Sequence, residues 1–265
     1  MLEPYQQILA QEQRQRWRLA LQLALLVLAI GVCCYVAGVF DGQKILDGIP
    51  SLLIIFSESF PPNFSDWQSW FQPLLDTLAM SVAGTALAIL MALPLGVLAA
   101  RNTSPHPFVY QLVRGFLNLF RAVPELIMGI LFVAAVGFGV LPGTLALAFH
   151  SIGMVGKFVA EAIEHADPDV MDAIRATGAS PLQVITHGVI PQVIPQVCDV
   201  TLYRWEYNFR ASTIMGMVGA GGIGFELMSS LRLMNYDEVS AILLLILLMV
   251  TMVDKLGAGL RQRVK

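Results

Sequence analysis

Long apolar stretches separated by short polar ones recur along the chain, and about six of them approach the length that carries an α-helix across a bilayer. The first covers residues 19–40 and the second 73–100. Residues 108–139 are apolar for longer than one span needs and are interrupted at Pro124, which predicts a kinked third helix ending near Gly137 and Gly139. A fourth stretch runs from 145 to about 161 and a fifth from beyond Pro195 to a glycine cluster at 219–224. After a short polar segment at 225–238, a sixth occupies 239 to about 253. The period is helical, and nothing alternates as barrel strands do. The pattern predicts an all-α integral membrane protein.

Residues 41–71 break this rhythm. Their apolar middle, 51–56, is too short to span, and Pro61 and Pro62 stop a helix. Phe56, Phe60, Phe64, Trp67, Trp70 and Phe71 supply an interfacial aromatic set, so this segment reads as a loop on the outer face. The chain then divides into 1–71 (a cytoplasmic segment, the first span and the outer loop) and a core domain, 72–265. The first span lacks a small-x-small cleavage site and is expected to be retained.

Composition agrees with the pattern. Of 265 residues 56% are hydrophobic and 13% charged, with a mean hydropathy of +0.69. Soluble domains carry about a quarter charged residues. A net charge of −3 argues against a nucleic-acid partner, which needs a basic surface. Placement of charge says more than its sum. Arg14, Arg16 and Arg18, then Arg101, Arg114 and Arg121, then Lys255, Arg261, Arg263 and Lys265 fall on one side of the predicted spans. By the positive-inside rule that side is the cytoplasm, and both ends lie there. Cys33, Cys34 and Cys198 have no CxxC spacing, so neither a disulfide framework nor a zinc site is expected.

The most informative segment is the polar stretch 167–195, DPDVMDAIRATGASPLQVITHGVIPQVIP. Asp167 is placed to cap a helix, with Pro168 at its first position and Asp169 at the positive end of its dipole. Gly178 falls where a left-handed C-terminal residue is wanted. Ser180, Pro181 and Gln183 restart the helix as a capping box. A rigid, sharply turned hairpin between two spans is built to be held by something.

GAGGIG matches the dinucleotide pattern at Gly219, Gly221 and Gly224, but it follows a membrane span rather than a strand. Backbone freedom at Gly219, Gly221 and Gly222, with close helix approach, is the better use. Glu206 and Arg210 lie four apart on one face of the fifth span, with Asn208 between them. They either line a path for an anion or form an orienting ion pair with each other. Arg121 and Glu125 flank Pro124, a candidate hinge or gate. His150 is read as a hydrogen-bonded core histidine rather than a proton relay. EAIEH at 161–165 reads as a solvated helix end, not a metal site. SIGMVGKF at 151–158 lacks the Ser or Thr and first glycine of a P-loop, so ATP chemistry would sit on another polypeptide.

DAIRATG followed by GVIP resembles the EAA loop of importer-type ABC permeases. Asp172 stands for the glutamate, Ala173 for the first alanine, Gly178 for the glycine and Pro191 for the proline, with Arg175 and Ala179 inside the same loop. Ile174 departs from the second alanine and Gly188 from an isoleucine. RAVPEL and WEYNFRASTIMGMVGAGGIG are similar to stretches of phosphonate-type permeases of that class. The resemblance implies a type I importer permease fold with a coupling loop at 167–191. It also implies a homodimer on two cytoplasmic ATPase copies that hold ATP and Mg, an extracytoplasmic binding protein, and the bacterial inner membrane with its lipid. Alternating access would move a phosphonate, phosphite or phosphate, with no catalytic residue or cofactor on this chain. An ATPase-independent channel or secondary transporter is the alternative, and a membrane enzyme a third class.

Overall fold

The computed structural model describes residues 3–264, with side chains from 12 to 263. All regular structure among the described residues is helical. Lys265 lies outside them. The chain divides into two compact units between Glu58 and Ser59.

The first unit holds α1 (Glu3–Val36), whose Glu12–Val36 portion is long and apolar enough to span, and α2 (Gly42–Glu58). The expected outer loop is therefore corrected to a helix over most of its first half. Asp41 Oδ1 accepts from the Lys44 backbone N–H at 3.4 Å, a cap three residues into the helix. Ile45, Ile49, Leu52, Leu53 and Phe56 follow at helical spacing and outweigh Pro50.

In the second unit α3 (Phe71–Ala99) and α6 (Val140–Glu164) form the central pair. They approach closely because their facing residues are small. Gly84, Ala88, Ala92 and Gly96 recur every fourth position on α3. A Cβ on Gly84 would stand 3.0 Å from Leu147 Cβ, and one on Gly96 would overlap the Val159 side chain. On its other sides α6 carries α4 (Pro107–Ala122), α5 (Glu125–Val136) and α9 (Ile190–Met215).

The predicted kink at Pro124 is a break of 88° between α4 and α5. Val123 and Pro124 are both extended (ψ 121° and 136°), since a residue before proline is driven out of the helical region. The helix stops for two residues rather than bending. Within the hairpin, α7 (Pro168–Ala176) and α8 (Pro181–Val184) lead through a π turn, Ile185–Val189, into α9. Here too the expectation is corrected, because α9 begins before Pro195 and contains it. Pro191 has no N–H to give the preceding turn, and the Ile190 N–H reaches back five residues to Ile185 O instead. The Gly188 carbonyl is met by Gln192 Nε2 at 2.7 Å.

A second π turn, Gly216–Ala220, ends α9 ahead of α10 (Ile223–Arg232), which takes the place of the short outer segment, and α11 (Tyr236–Val264). Four helices among the described residues are single spans by length and composition. The bent pairs α4–α5 and α8–α10, the latter turned by 58°, bring the total to six.

Candidate functional site

A polar cluster lies inside the second unit, near the midpoints of α3, α6 and α9 and at the first residue of α5. Arg204, Tyr207 and Asn208 follow at i, i+3 and i+4, which places them on one face of α9. Arg204 is 1% exposed. Its Nε donates to Ser151 Oγ at 2.8 Å, and its guanidinium lies 4.3 Å from the centre of the Tyr207 ring. Tyr207 donates its hydroxyl proton to Glu125 Oε1 at 3.1 Å. Asn208 Nδ2 donates to Thr85 Oγ1 at 2.8 Å, which ties α9 to α3. Glu125 Oε2 stands 3.9 Å from both Arg204 Nη2 and His150 Nε2. These are attractive distances but not hydrogen bonds. Glu125 Oε2 and Arg204 Nη2 are buried and have no hydrogen-bond partner.

At the hairpin the expected caps are present. Asp167 Oδ1 accepts from the Asp169 N–H at 2.9 Å, and Ser180 and Gln183 bond reciprocally. Gly178 is left-handed at φ +81°. Asp172, Ala173, Arg175 and Gly178 form the exposed side, with Arg175 on Asp172 at 2.7 Å, while Met171 points inward. The two departures from the EAA pattern meet in space. A Cβ on Gly188 would stand 3.1 Å from Ile174 Cδ1, so the larger residue on α7 fills the room that the smaller one leaves in the π turn.

Residues 92–265 match the model of the family described as binding-protein-dependent transport system inner membrane component. The chain belongs to that family. The phosphite transport system permease protein PtxC of Stutzerimonas stutzeri is 58% identical over 94% of this chain and 90% of its own length. The putative phosphite transport system permease protein HtxC of the same organism is 40% identical, over 90% of this chain and 83% of its own length. In three dimensions the chain is similar to an inward-facing MetNI methionine ABC transporter chain, with a TM-score of 0.67 and 22% identity over 76% of this chain and 99% of that one. The fold is thus that of ABC importer permeases, and this permease is a transport subunit rather than an enzyme.

Against that fold the remaining site expectations sort themselves. Glu206 and Arg210 do not pair with each other; both reach α11. Arg261 Nη2 holds Glu206 Oε1 at 2.5 Å, and Arg210 Nη1 holds Asp254 Oδ1 at 2.8 Å. Gly257 lets α11 close onto the first pair, since a Cβ there would overlap Glu206 Oε1. Both pairs tie α9 to α11. The Arg210–Asp254 pair is nearly half exposed at both ends, so replacing Arg210 with Gln alone is expected to lower the stability of the assembled permease by no more than about 1 kcal/mol. Adding Asp254→Asn should change it little further, as read by size exclusion and uptake.

Arg121 stays at the end of α4, packed over Gly153, where a Cβ would stand 2.8 Å from its Cγ. Gly219, Gly221 and Gly222 have φ of 103°, 75° and 73°, which only glycine adopts freely. They swing the chain so that the Ile223 N–H meets Thr77 Oγ1 at 2.9 Å and Gly219 O accepts from Gly139 at 3.2 Å. The glycines serve backbone geometry. Glu164 of EAIEH is not free in solvent, because Arg114 holds it at 2.9 Å and the Arg101 N–H at 2.9 Å. Among the described residues no cluster could hold a metal ion. Arg204, two positions before Glu206, belongs to no motif in the sequence; its signal is the 204–207–208 spacing.

Proposed function

We propose that this chain is the transmembrane permease of an ATP-driven importer for phosphite or a related phosphorus oxyanion, a phosphonate or phosphate. The observation that carries this reading is the 58% identity over nearly the whole length of a phosphite permease. The exposed, doubly capped hairpin supports it, because an ATPase-independent channel has no use for such a handle. In this reading two cytoplasmic subunits hold ATP and Mg and grip the 167–191 loop. A second permease subunit, a second copy of this chain in the simplest arrangement, completes the path. An extracytoplasmic binding protein delivers substrate, both chain ends are cytoplasmic, and the spans alternate access as the ATPases close.

The test is ATP hydrolysis by this chain reconstituted with its ATPase and binding protein, across a panel of oxyanions and amino acids. Stimulation by phosphite or a phosphonate supports the reading. Stimulation by an amino acid alone would keep the importer and remove the substrate. Gly178→Val is expected to cost about 1–2 kcal/mol in backbone strain at φ +81° and to reshape the turn that presents the hairpin. It should release the ATPase on co-purification while leaving the permease in the membrane. Retention at wild-type stoichiometry would count against the hairpin as the docking element.

A further inference from the structure

The unpaired groups of the buried cluster are complementary to one kind of molecule. Arg204 Nη2 is a donor with no acceptor, and Glu125 Oε2, 3.9 Å away, is an acceptor with no donor. Arg204 is almost wholly buried, while Glu125 keeps 17% of its side chain open. A cavity of about 340 Å³ with apolar walls, Val123, Met128, Leu131, Phe132, Ala135 and Phe149, opens beside the chain neighbours of Glu125 and His150, and the charged groups themselves do not line it. The cluster presents a cation and a carboxylate side by side, both contact atoms enclosed, and Glu125 is its partly open member.

We propose that Arg204 and Glu125 form a substrate waypoint for an oxyanion that keeps one acidic O–H. Its charged oxygen accepts from Arg204 Nη2 and its hydroxyl donates to Glu125 Oε2. The inference rests on the transport function proposed above, which supplies the oxyanion.

Charge and hydrogen count both select. The arginine and the carboxylate cancel, so a monoanion leaves one net negative charge in a poorly screened interior and a dianion leaves two. An oxyanion without a hydrogen sets its oxygen against Glu125 Oε2, acceptor against acceptor, and that contact is repulsive. Hydrogen phosphite and monoprotonated phosphonates meet both demands. Sulfate, similar in size and geometry, meets neither. The site thus adds a filter inside the membrane, on the permease itself.

The experiment uses the detergent-purified complex of permease and ATPase without the binding protein, at mildly acidic pH where phosphite keeps one O–H and sulfate none. Protection against thermal unfolding is titrated with each anion at matched ionic strength. Phosphite should protect at a concentration lower than sulfate by about tenfold or more, the worth of a charge-assisted hydrogen bond gained rather than opposed. Glu125→Gln, whose amide can donate, should close that gap. Arg204→Lys should weaken both anions. Equal protection by the two anions in the wild type, protection by neither, or a gap that survives Glu125→Gln would overturn the proposal. The wild-type comparison stands even if a variant fails to fold. Phosphite uptake into proteoliposomes with the binding protein present is measured alongside. Uptake without the gap removes the waypoint and leaves the importer, whereas a gap without uptake supports the anion site and removes the importer.

Discussion

Gly224→Ala is expected to leave almost no folded permease. A Cβ on Gly224 would fall on the carbonyl oxygen of Thr213, with Gly216 Cα also within 3.2 Å. Both are backbone atoms, so no rotamer change relieves the overlap. The π turn and the glycines at 219–222 bring α10 back onto the end of α9, and this is where the two backbones touch. Either α10 is pushed off or the turn unwinds, and both expose the Ile223 N–H that Thr77 now satisfies. Overpacking against flexible side chains costs about 1–3 kcal/mol, and a clash between two backbones should exceed that. Fluorescence-detected size exclusion and thermal unfolding in detergent measure it. Gly115→Ala is the control, because a Cβ there meets nothing within 4 Å and an alanine in mid-helix is favoured by about 0.5–1 kcal/mol. Equal melting temperatures for the two variants would refute the close-approach argument.

Arg204→Leu should be nearly as damaging, for an electrostatic reason. Leucine fills most of the volume but leaves Glu125 without its nearest cation and removes the donor to Ser151 Oγ. Breaking a buried ion pair from one side costs about 3–5 kcal/mol, largely because the surviving charge is stranded. The longer 3.9 Å separation puts this pair toward the lower end. Neutralising the survivor tests that account: Arg204→Leu with Glu125→Gln should recover about 1 kcal/mol or more over Arg204→Leu alone. If the double variant melts no higher than the single one, Arg204 acts through packing on Tyr207 and its bond to Ser151, not through Glu125.

What could be read from the sequence was local. Asp167, Gly178, Ser180 and Gln183 act on backbone groups two or three residues away, so their spacing alone sufficed to place the hairpin. The same physics acts at Asp41, but the apolar run 51–56 is too short to span and Pro50 precedes it, so the run alone does not mark a helix that starts at Gly42. Pro124 was correctly seen as a disruption, but the size of the break depends on α4 and α5 each finding a separate place on α6, which no local pattern encodes. Glu206 and Arg210 show the limit most clearly. Spacing of i,i+4 says they share a face; it does not say that Arg261 and Asp254, more than forty residues on, will bind each of them first. Arg204 was hidden by the same long-range logic, since its partners come from α5 and α6.

The unbroken run of helix from Pro181 to Met215 makes a shaft of about 50 Å at roughly 1.5 Å per residue. Gln192 bolts its foot to the hairpin, accepting from the Asp167 N–H at 2.8 Å while bracing the π turn through Gly188 O. Arg204 is mounted further up the same shaft, whereas Glu125 hangs from α5, on the far side of the break at Pro124. A tilt imposed at the foot would meet the π turn and Pro195, the two points where this shaft can bend, before it reached the arginine and its gap to Glu125. The hairpin and the arginine of the buried charge pair are carried on one continuous helix, and the carboxylate on another.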